Sequence, residues 1–224
     1  MSRSATTNKS CPYIYVNTNA ASAEIVIKSY PGEWAIFDGD NSMSILESNS
    51  VFYNMTFDSF EVRNGATWGF NLGTGYGQPF AHSCTFRNLY FHDNTAADVN
   101  ANPSGMGLAG DNCVIEYCYF SNNGTSGSTH HNASNLLLWG DYGDYTESAP
   151  RRNNTIRYCV FDSSATGIKM KGDNNFVNSS NSSDNQSTYG SEYHHNIFYH
   201  ITGRGIYADG DYDLIHHNLF TECA

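Results

Sequence analysis

Two short apolar blocks alternate along the chain, and each of them recurs six times. The first block is an apolar strand that ends in Gly, usually followed by Asp, and its copies are WAIFDGD, GFNLG, GMGLAGD, LLLWGD, GIKMKGD and GIYADGD. The second block ends in Phe, and its copies end at Phe57, Phe91, Phe120, Phe161, Phe198 and Phe220. Strands in such repeats bury their apolar sides by stacking on neighbouring copies. The pattern therefore predicts an all-β repeat protein.

The spacing of the Phe residues indicates the type of repeat. The shortest interval, from Phe198 to Phe220, has room for strands and turns but shows no helical periodicity. Longer intervals contain polar insertions, such as residues 92–104 and 178–191. Loops that vary between strands that keep their register are typical of a solenoid. A β-solenoid therefore fits better than a leucine-rich repeat.

The composition narrows the class of protein further. The chain has 224 residues, 39% of them hydrophobic, which is enough for one or at most two domains with a buried core. Its formal net charge of -11 argues against a nucleic-acid-binding surface, which needs clustered Lys and Arg. No apolar run approaches the ~20 residues that cross a bilayer, so we expect no membrane span.

Three stretches carry a resemblance to a known family. They are the opening IVIKSYPGEWAIFDGD, the repeated GIxxxGDN-like strand, and the apolar-x-x-Asn-x-Phe strand, as in IHHNLF. Through these stretches, and over roughly residues 13–223, the sequence resembles the right-handed parallel β-helix proteins of the pectate-lyase-like superfamily.

The resemblance implies a right-handed parallel β-helix (β-solenoid) of about six coils with variable loops. It implies a single domain over residues 1–224, as a fragment of a longer chain or as a subunit that stacks on others. Most members of the superfamily are polysaccharide lyases, hydrolases or epimerases, and some are adhesins or phage tailspikes. We therefore expect an extracellular or cell-surface protein whose partner is a polysaccharide, and head-to-tail self-association is a further hypothesis.

Equivalent residues of successive repeats in a parallel stack lie ~4.8 Å apart and form ladders. Counting back from each terminal Phe places Asn196 and Asn218 in one column, where we expect an inward Asn ladder that satisfies backbone groups of the turns. The same count places Arg87, Glu116 and Arg157 in one column of alternating charge. That column predicts an outward ladder of salt bridges.

The first repeats do not define their own register. Counting back from Phe57 puts Met55 and Tyr53 in these two columns, but the Gly-Asp block weakens to Gly73-Thr74 before the next Phe. A shift by one residue would exchange inward and outward side chains. Both registers are therefore left open.

Four cysteines fall in two further columns. Cys84 and Cys113 share one column, and Cys118 and Cys159 share another, so the members of each pair lie on adjacent rungs. Adjacent rungs are within the reach of a disulfide. Two disulfides and two pairs of buried thiols are both compatible with this spacing.

The strands that end in Gly-Asp are the candidates for a binding groove, because long insertions flank them. Alternation places six residues in the core, namely Leu136, Leu138, Ile168, Met170, Ile206 and Ala208. The outward set is Leu137, Trp139, Lys169, Lys171, Tyr207 and Asp209. Aromatic, cationic and acidic side chains on neighbouring rungs suit the binding of a sugar chain.

A polysaccharide lyase needs a base that removes the proton α to a carboxylate, and a positive charge that stabilises the enediolate. The candidate catalytic residues are Lys169 and Lys171, as bases, together with Tyr207. Trp139 and Asp209 are the candidates for substrate binding, and an ion pair between Lys171 and Asp209 is the alternative explanation. The Arg-bearing strand of alginate and chondroitin lyases is absent, since its place reads GIYADG. Whether the chain is an enzyme is therefore left open.

Metal ligands are the second kind of chemistry that the sequence offers. Hard oxygen ligands follow the groove strands at Asp141, Asp144, Asp173 and Asp211. They predict a Ca²⁺ site, although turn-forming Asp is the commoner explanation of a Gly-Asp pair. Two stacked pairs are predicted for His194, His195, His216 and His217. These pairs are either ligands of a transition metal or ordinary ladder residues.

A structural or adhesive β-solenoid without catalytic activity is the rival class of function. In that case the stacked coils and the contacts between chains are the function. Cys11 and Cys223 lie at opposite ends of the sequence. If rods stack head to tail, these two cysteines are predicted to meet between subunits.

Overall fold

The computed structural model describes residues 24–48, 51–72, 81–96, 103–124, 133–139, 153–171, 190–208 and 212–224. Every regular element in these ranges is a β-strand. Every strand pairing among them is parallel. The all-β prediction is therefore confirmed for the described residues.

The strands form three sheets. The largest sheet has 12 strands, which are β1 (Ile25–Lys28), β2 (Ala35–Asp38), β5 (Met55–Arg63), β8 (Thr85–His92), β11 (Val114–Glu116), β12 (Tyr119–Ser121), β14 (Thr155–Arg157), β15 (Val160–Asp162), β17 (Glu192–His194), β18 (Ile197–Tyr199), β20 (Leu214–His216) and β21 (Leu219–Thr221). The six-stranded sheet consists of β3 (Leu46–Ser48), β6 (Trp68–Leu72), β9 (Ser104–Leu108), β13 (Ser134–Trp139), β16 (Thr166–Lys171) and β19 (Arg204–Tyr207). The three-stranded sheet consists of β4 (Phe52–Tyr53), β7 (Ala81–His82) and β10 (Gly110–Asp111).

The order of the strands shows how the chain is wound. The six-stranded sheet has the order β19-β16-β13-β9-β6-β3, so each strand lies beside its equivalent in the next repeat. The large sheet follows the same rule in its path β12-β15-β18-β21. Parallel stacking of successive repeats is the architecture of a parallel β-solenoid. The predicted class of architecture therefore agrees with the structure.

The register of the first repeat differs from the count that starts at Phe57. Val62, and not Phe57, aligns with Phe91. The placement of Met55 and Tyr53 in the two ladder columns is therefore wrong, and residues further along β5 take those positions. The reason is that the first repeat carries Val62 at the position of the terminal Phe, whereas Phe57 aligns with Phe86.

A stack of like aromatic residues fills the core. The rings of Phe120, Phe161 and Phe198 follow one another at 5.1 Å and lie within 13° of parallel. All three side chains are fully buried. Burial of each Phe contributes about 1.5–3 kcal/mol to stability. The repeat of the terminal Phe is thus the main signal of the fold.

The Asn ladder predicted at Asn196 and Asn218 is confirmed. Oδ1 of Asn196 accepts a hydrogen bond from the backbone N–H of Cys159 (3.0 Å), and its Nδ2 donates to the carbonyl oxygen of Ile156 (3.0 Å). Oδ1 of Asn218 accepts in turn from the backbone N–H of Asn196 (3.0 Å). Each amide therefore satisfies turn groups that would otherwise be buried without a partner.

A second ladder of buried amides, not predicted from the sequence, runs through the interior. Nδ2 of Asn94 donates to Oδ1 of Asn123 (2.8 Å), and Nδ2 of Asn123 donates to Oδ1 of Asn135 (3.0 Å). Asn94 and Asn123 each follow a terminal Phe by the same interval, in FHDN and FSNN. That shared interval is a signal from which this ladder could have been predicted.

The cysteine columns are confirmed, but the disulfides are not. The structure joins none of the described cysteines by a disulfide. The thiols donate to backbone carbonyl oxygens of the preceding rung, that of Cys113 to Ala81 (3.5 Å) and that of Cys118 to Phe86 (3.5 Å). Stacking at ~4.8 Å leaves their Cβ atoms further apart than the ~3.8 Å of a disulfide. Burial raises the pKa of Cys113 and of Cys118, which favours the neutral thiol.

The structure also bears on membrane association. Among the described residues, no helix is long and apolar enough to cross a membrane.

Candidate functional site

The inner face of the six-stranded sheet matches the predicted alternation. Its core side chains, each at most 1% exposed, are Leu136, Leu138, Ile168 and Met170. Ile206 is partly buried and packs against the same core. The inward prediction for Ala208 is wrong, because this residue follows the end of β19 and is exposed.

The outer face of the same sheet is buried rather than open. Leu137 and Lys169 are neighbours in register, and their exposed fractions are 0% and 5%. Ser104 and Ser134 are also fully buried, and their Oγ atoms lie 3.0 Å apart. The predicted open surface is therefore wrong at these positions. Alternation predicts the face of the sheet on which a side chain lies, but it does not predict whether other parts of the chain cover that face.

A cluster of two cations and a phenol occupies this face. Tyr207 lies beside Lys169 on the next rung. Nζ of Lys169 lies 3.0 Å from the centroid of the Tyr207 ring, and Cζ of Arg204 lies 4.7 Å from the same centroid. Both distances are those of cation–π contacts. Lys169 is buried and Arg204 is exposed, so the cluster reaches from the interior to solvent.

Glycines in the supporting strands allow the sheet to approach the core. A Cβ atom added at Gly167 would collide with the ring of Phe198, and one added at Gly205 would collide with the ring of Phe220. The residue before each glycine starts its strand, and Arg204 occupies this position in β19. The GI pair shared by both repeats thus sets the depth at which Lys169 and Tyr207 lie.

The cluster provides the groups that proton transfer beside a carboxylate requires. A buried ammonium group is costly unless neighbouring groups compensate its charge, and an aromatic ring face does so in part. Arg204 brings a second positive charge to the exposed side of Tyr207. The phenol hydroxyl of Tyr207 is a proton donor. Together these groups can bind an anion and move a proton.

The remaining predicted site residues are placed only in part. Trp139 and Lys171 align with each other at the ends of β13 and β16, so their backbones lie on adjacent rungs. Five predicted residues lie outside the described residues, and they are Asp141, Asp144, Asp173, Asp209 and Asp211. Cys11 also lies outside them. Their roles stay predictions.

The histidine pairs form a ladder. In the described ranges, no group of three or more His, Cys, Asp or Glu side chains is arranged to hold a metal ion. The Nδ1 atoms of His194 and His195 lie 2.7 Å apart, and those of His216 and His217 lie 2.6 Å apart. Nε2 of His216 lies 2.8 Å from Glu192. The two rungs stack with ring centroids 5.1 Å apart, as the ladder alternative predicted.

Two functional groups were not anticipated from the sequence. Arg204 aligns with Thr166 of the preceding rung, and only its position before the GIY strand distinguishes it. Asn71 aligns through Gly107 and Leu137 with Lys169, and its buried Oδ1 has no hydrogen-bond partner. A buried polar atom without a partner is costly, so Asn71 is a position where the sheet carries an uncompensated acceptor.

The comparisons with known proteins concern the fold. No protein-family model and no curated protein matches the chain. The structure is similar to the crystal structure of an alginate lyase from Paenibacillus sp. str. FPU-7, with a TM-score of 0.53, 16% identity and 90% of this chain covered. The chain spans 62% of the length of that alginate lyase. At this identity the similarity shows the fold alone, and the parallel sheets are compatible with the β-helix-like fold of a polysaccharide lyase.

Proposed function

We propose that the protein is an extracellular, carbohydrate-processing β-helix that acts on an acidic polysaccharide as a Lys-dependent lyase. The observation that carries the proposal is the contact of Lys169 Nζ with the Tyr207 ring, which Arg204 also approaches. The similar fold of the Paenibacillus alginate lyase supports the class of substrate. The proposal includes a right-handed winding with about six coils, since parallel crossovers are almost always right-handed.

The proposed reaction is a β-elimination at a uronate residue. Burial and the positive charge of Arg204 favour the neutral amine of Lys169 over the ammonium form that the Tyr207 ring stabilises. The neutral amine takes the proton α to the carboxylate, and the released electron pair forms a carbon–carbon double bond. The bond from the adjacent carbon to the glycosidic oxygen breaks, and the hydroxyl of Tyr207 gives that oxygen a proton. Arg204 stabilises the negative charge that develops on the carboxylate. Lys171 is the second candidate base, and Trp139 and Asp209 are candidates for binding the flanking sugars.

The test is an elimination assay on a panel of acidic polysaccharides that includes alginate. The new double bond is conjugated with the carboxylate and absorbs in the near ultraviolet, so its formation can be followed directly. We expect Lys169→Ala to lower the rate by about 10²–10⁴-fold, as loss of a general base does. Parallel assays with Ca²⁺ and with a chelator test the predicted metal site.

Two variants serve as controls for this assay. Lys28→Ala removes an exposed lysine of β1 and should leave the rate unchanged. Tyr207→Phe keeps the ring beneath Lys169 but removes the hydroxyl, so it separates proton donation from the cation–π contact. Absence of elimination on every polymer, or full activity of Lys169→Ala and Lys171→Ala, would refute the lyase proposal.

A second candidate function is a structural or adhesive solenoid that associates with itself. The observation that favours it is the regular stacking of the repeats, in which each strand of the six-stranded sheet pairs in parallel with its equivalent in the next repeat. A solenoid of this kind can serve as a structural surface without any catalytic group. Light scattering over a dilution series tests this function, and a monomer at every concentration would contradict it.

A further inference from the structure

A ladder of aromatic rings follows one corner of the large sheet. At this corner each repeat has a residue with positive φ, between two strands of the same rung, and these residues are Ser59, Asn88, Tyr117, Tyr158, His195 and His217. Tyr117 and Tyr158 stack at 5.2 Å and 8°. His195 and His217 stack at 5.1 Å and 7°. Tyr158 and His195 join the two pairs at 5.2 Å with their planes tilted by 36°, so each of these two rings has a neighbouring ring on either side.

The ladder is interrupted for two rungs. Ser59 and Asn88 occupy the corner position before Tyr117, so the described part of the corner places no ring on one face of Tyr117. On the far side of the interruption lies Trp34, which directly precedes β2 and is in register with Ser59. Trp34 and Tyr117 are therefore three rungs apart, or about 14 Å.

The interruption forms a shallow surface cavity of about 580 Å³ that is largely open to solvent, lined by Trp34, Asn88, Leu89, Tyr90, Tyr117 and Tyr119. Trp34, Tyr117 and Tyr119 are 49%, 56% and 37% exposed, whereas Leu89 is buried and forms the floor. Aromatic walls with a few polar groups are typical of small-molecule sites. The volume lies within the range of such sites.

Hydrogen bonds fix the polar groups around the cavity. Nε1 of Trp34 donates to Glu61 (3.3 Å), and Nδ2 of Asn88 donates to Asp58 (3.0 Å). The latter bond leaves the amide oxygen of Asn88 as an acceptor. The hydroxyl of Tyr119 donates to Asp162 (2.7 Å). Burial and this hydrogen bond raise the pKa of Tyr119 to about 12, so the hydroxyl stays protonated.

The charges near the cavity disfavour an anionic ligand. Among the described residues, no cationic side chain lines the cavity. Two arginines beside it are each paired with a carboxylate of the rim, Arg87 with Asp58 at 3.0 Å and Arg63 with Glu61 at 2.9 Å. Burial alone would raise the pKa of Asp58 and of Glu61, but hydrogen bonds from Ser59 and from His92 outweigh it and lower both. The rim therefore carries two ionised carboxylates at neutral pH.

We propose that this interruption of the ladder binds a neutral saccharide. The C–H face of a pyranose ring carries partial positive charge and packs on the electron-rich face of an aromatic ring. Because Tyr117 and Trp34 are about 14 Å apart, one sugar residue packs on Tyr117 and a second residue of the same oligosaccharide packs on Trp34. The sugar hydroxyls donate to the amide oxygen of Asn88 and to the carboxylate of Glu61. This site lies on a different sheet from Lys169, and its ligand differs in charge from the polymer proposed there.

The test measures binding of cellohexaose, a neutral glucose oligomer, by calorimetry and by ligand-observed NMR. Tyr117→Ala and Trp34→Ala should each weaken binding by about tenfold or more. Asn88→Tyr should abolish binding, because it completes the ladder and fills the cavity. Tyr117 and Tyr158 already adopt φ of 54° at this corner, so a tyrosine is tolerated there.

Matched variants separate this site from the lyase proposal. Tyr158→Ala removes a ring that already has a neighbouring ring on either side, and it should leave binding unchanged. Lys169→Ala should abolish elimination but leave the binding of cellohexaose unchanged. The proposal is overturned if the wild-type protein does not bind cellohexaose, if Asn88→Tyr binds it as tightly, or if an oligouronate binds this site more tightly.

Discussion

The two outer surfaces of the solenoid use the same ladder geometry under opposite conditions. On the six-stranded sheet, Leu137 and Lys169 point outward and are nonetheless buried. At the corner of the large sheet, Tyr117 and Tyr158 point outward and are 56% and 42% exposed. The repeat alone therefore does not decide what a column does.

Whether a ladder contributes to stability or is accessible to a ligand therefore depends on whether its side chains are buried. A covered column contributes packing energy, and a charge within it must find compensation, as Lys169 does at the ring of Tyr207. An exposed column contributes little packing energy, but it presents ring edges and, where it is interrupted, ring faces. Chemistry that needs a shielded base suits the first surface, and recognition of a passing ligand suits the second.

The largest expected effect is the cost of truncating the covered column. Leu137→Ala should lower the free energy of unfolding by about 2–5 kcal/mol, because it leaves a cavity at a fully buried position. Tyr117→Ala at the exposed corner should cost about 1 kcal/mol or less. Urea denaturation of both variants measures the difference. Equal costs would mean that the outer face of the six-stranded sheet is open in solution.

A second expected effect is a loss of stability in acid that arises at the histidine end of the corner. Burial lowers the pKa of His194, and the hydrogen bond from His216 lowers the pKa of Glu192. A histidine whose folded pKa is lowered binds protons more readily when unfolded, so stability falls as the pH drops below about 6.5. Glu192 adds its own loss below its unfolded pKa of about 4.5, since its stabilisation needs the ionised form.

The measurement for this effect is the midpoint of thermal unfolding between about pH 7 and pH 5. His194→Gln should flatten the dependence. His200→Gln removes an exposed histidine that is paired with Asp162, and it should not flatten the dependence in the same way. A pH profile that is identical in wild type and His194→Gln would contradict the assignment.

The parts of the fold that the sequence predicts are those that repeat. The terminal Phe residues predict the stack, and the Asn ladder at Asn196 follows from the same count. The predicted charge ladder forms only between Glu116 and Arg157, because Arg87 pairs with Asp58. The register of the first repeat is not predicted correctly, because its equivalent of Phe91 is Val62, which the sequence pattern does not single out.

The candidate sites are predictable only in part, for a related reason. Alternation correctly puts Lys169 and Tyr207 on one face, but their burial depends on what covers that face. The contact of Arg204 with Tyr207 depends on side-chain conformation, which spacing does not specify. The interrupted ladder needs the register of Trp34 against Ser59, in the repeats whose register the sequence leaves open.

The smallest expected effect concerns the ion pair at the exposed corner. Glu116 and Arg157 lie on adjacent rungs with Oε2 and Nη2 2.7 Å apart, and the arginine side chain is 39% exposed. A double-mutant cycle with Arg157→Met and Glu116→Gln should give a coupling energy of about 0.2–1 kcal/mol, because water screens exposed charges. The coupling should fade further in high salt. A coupling well above this range, unaffected by salt, would show that the corner is as shielded as the face of Lys169 and would erase the distinction between the two surfaces.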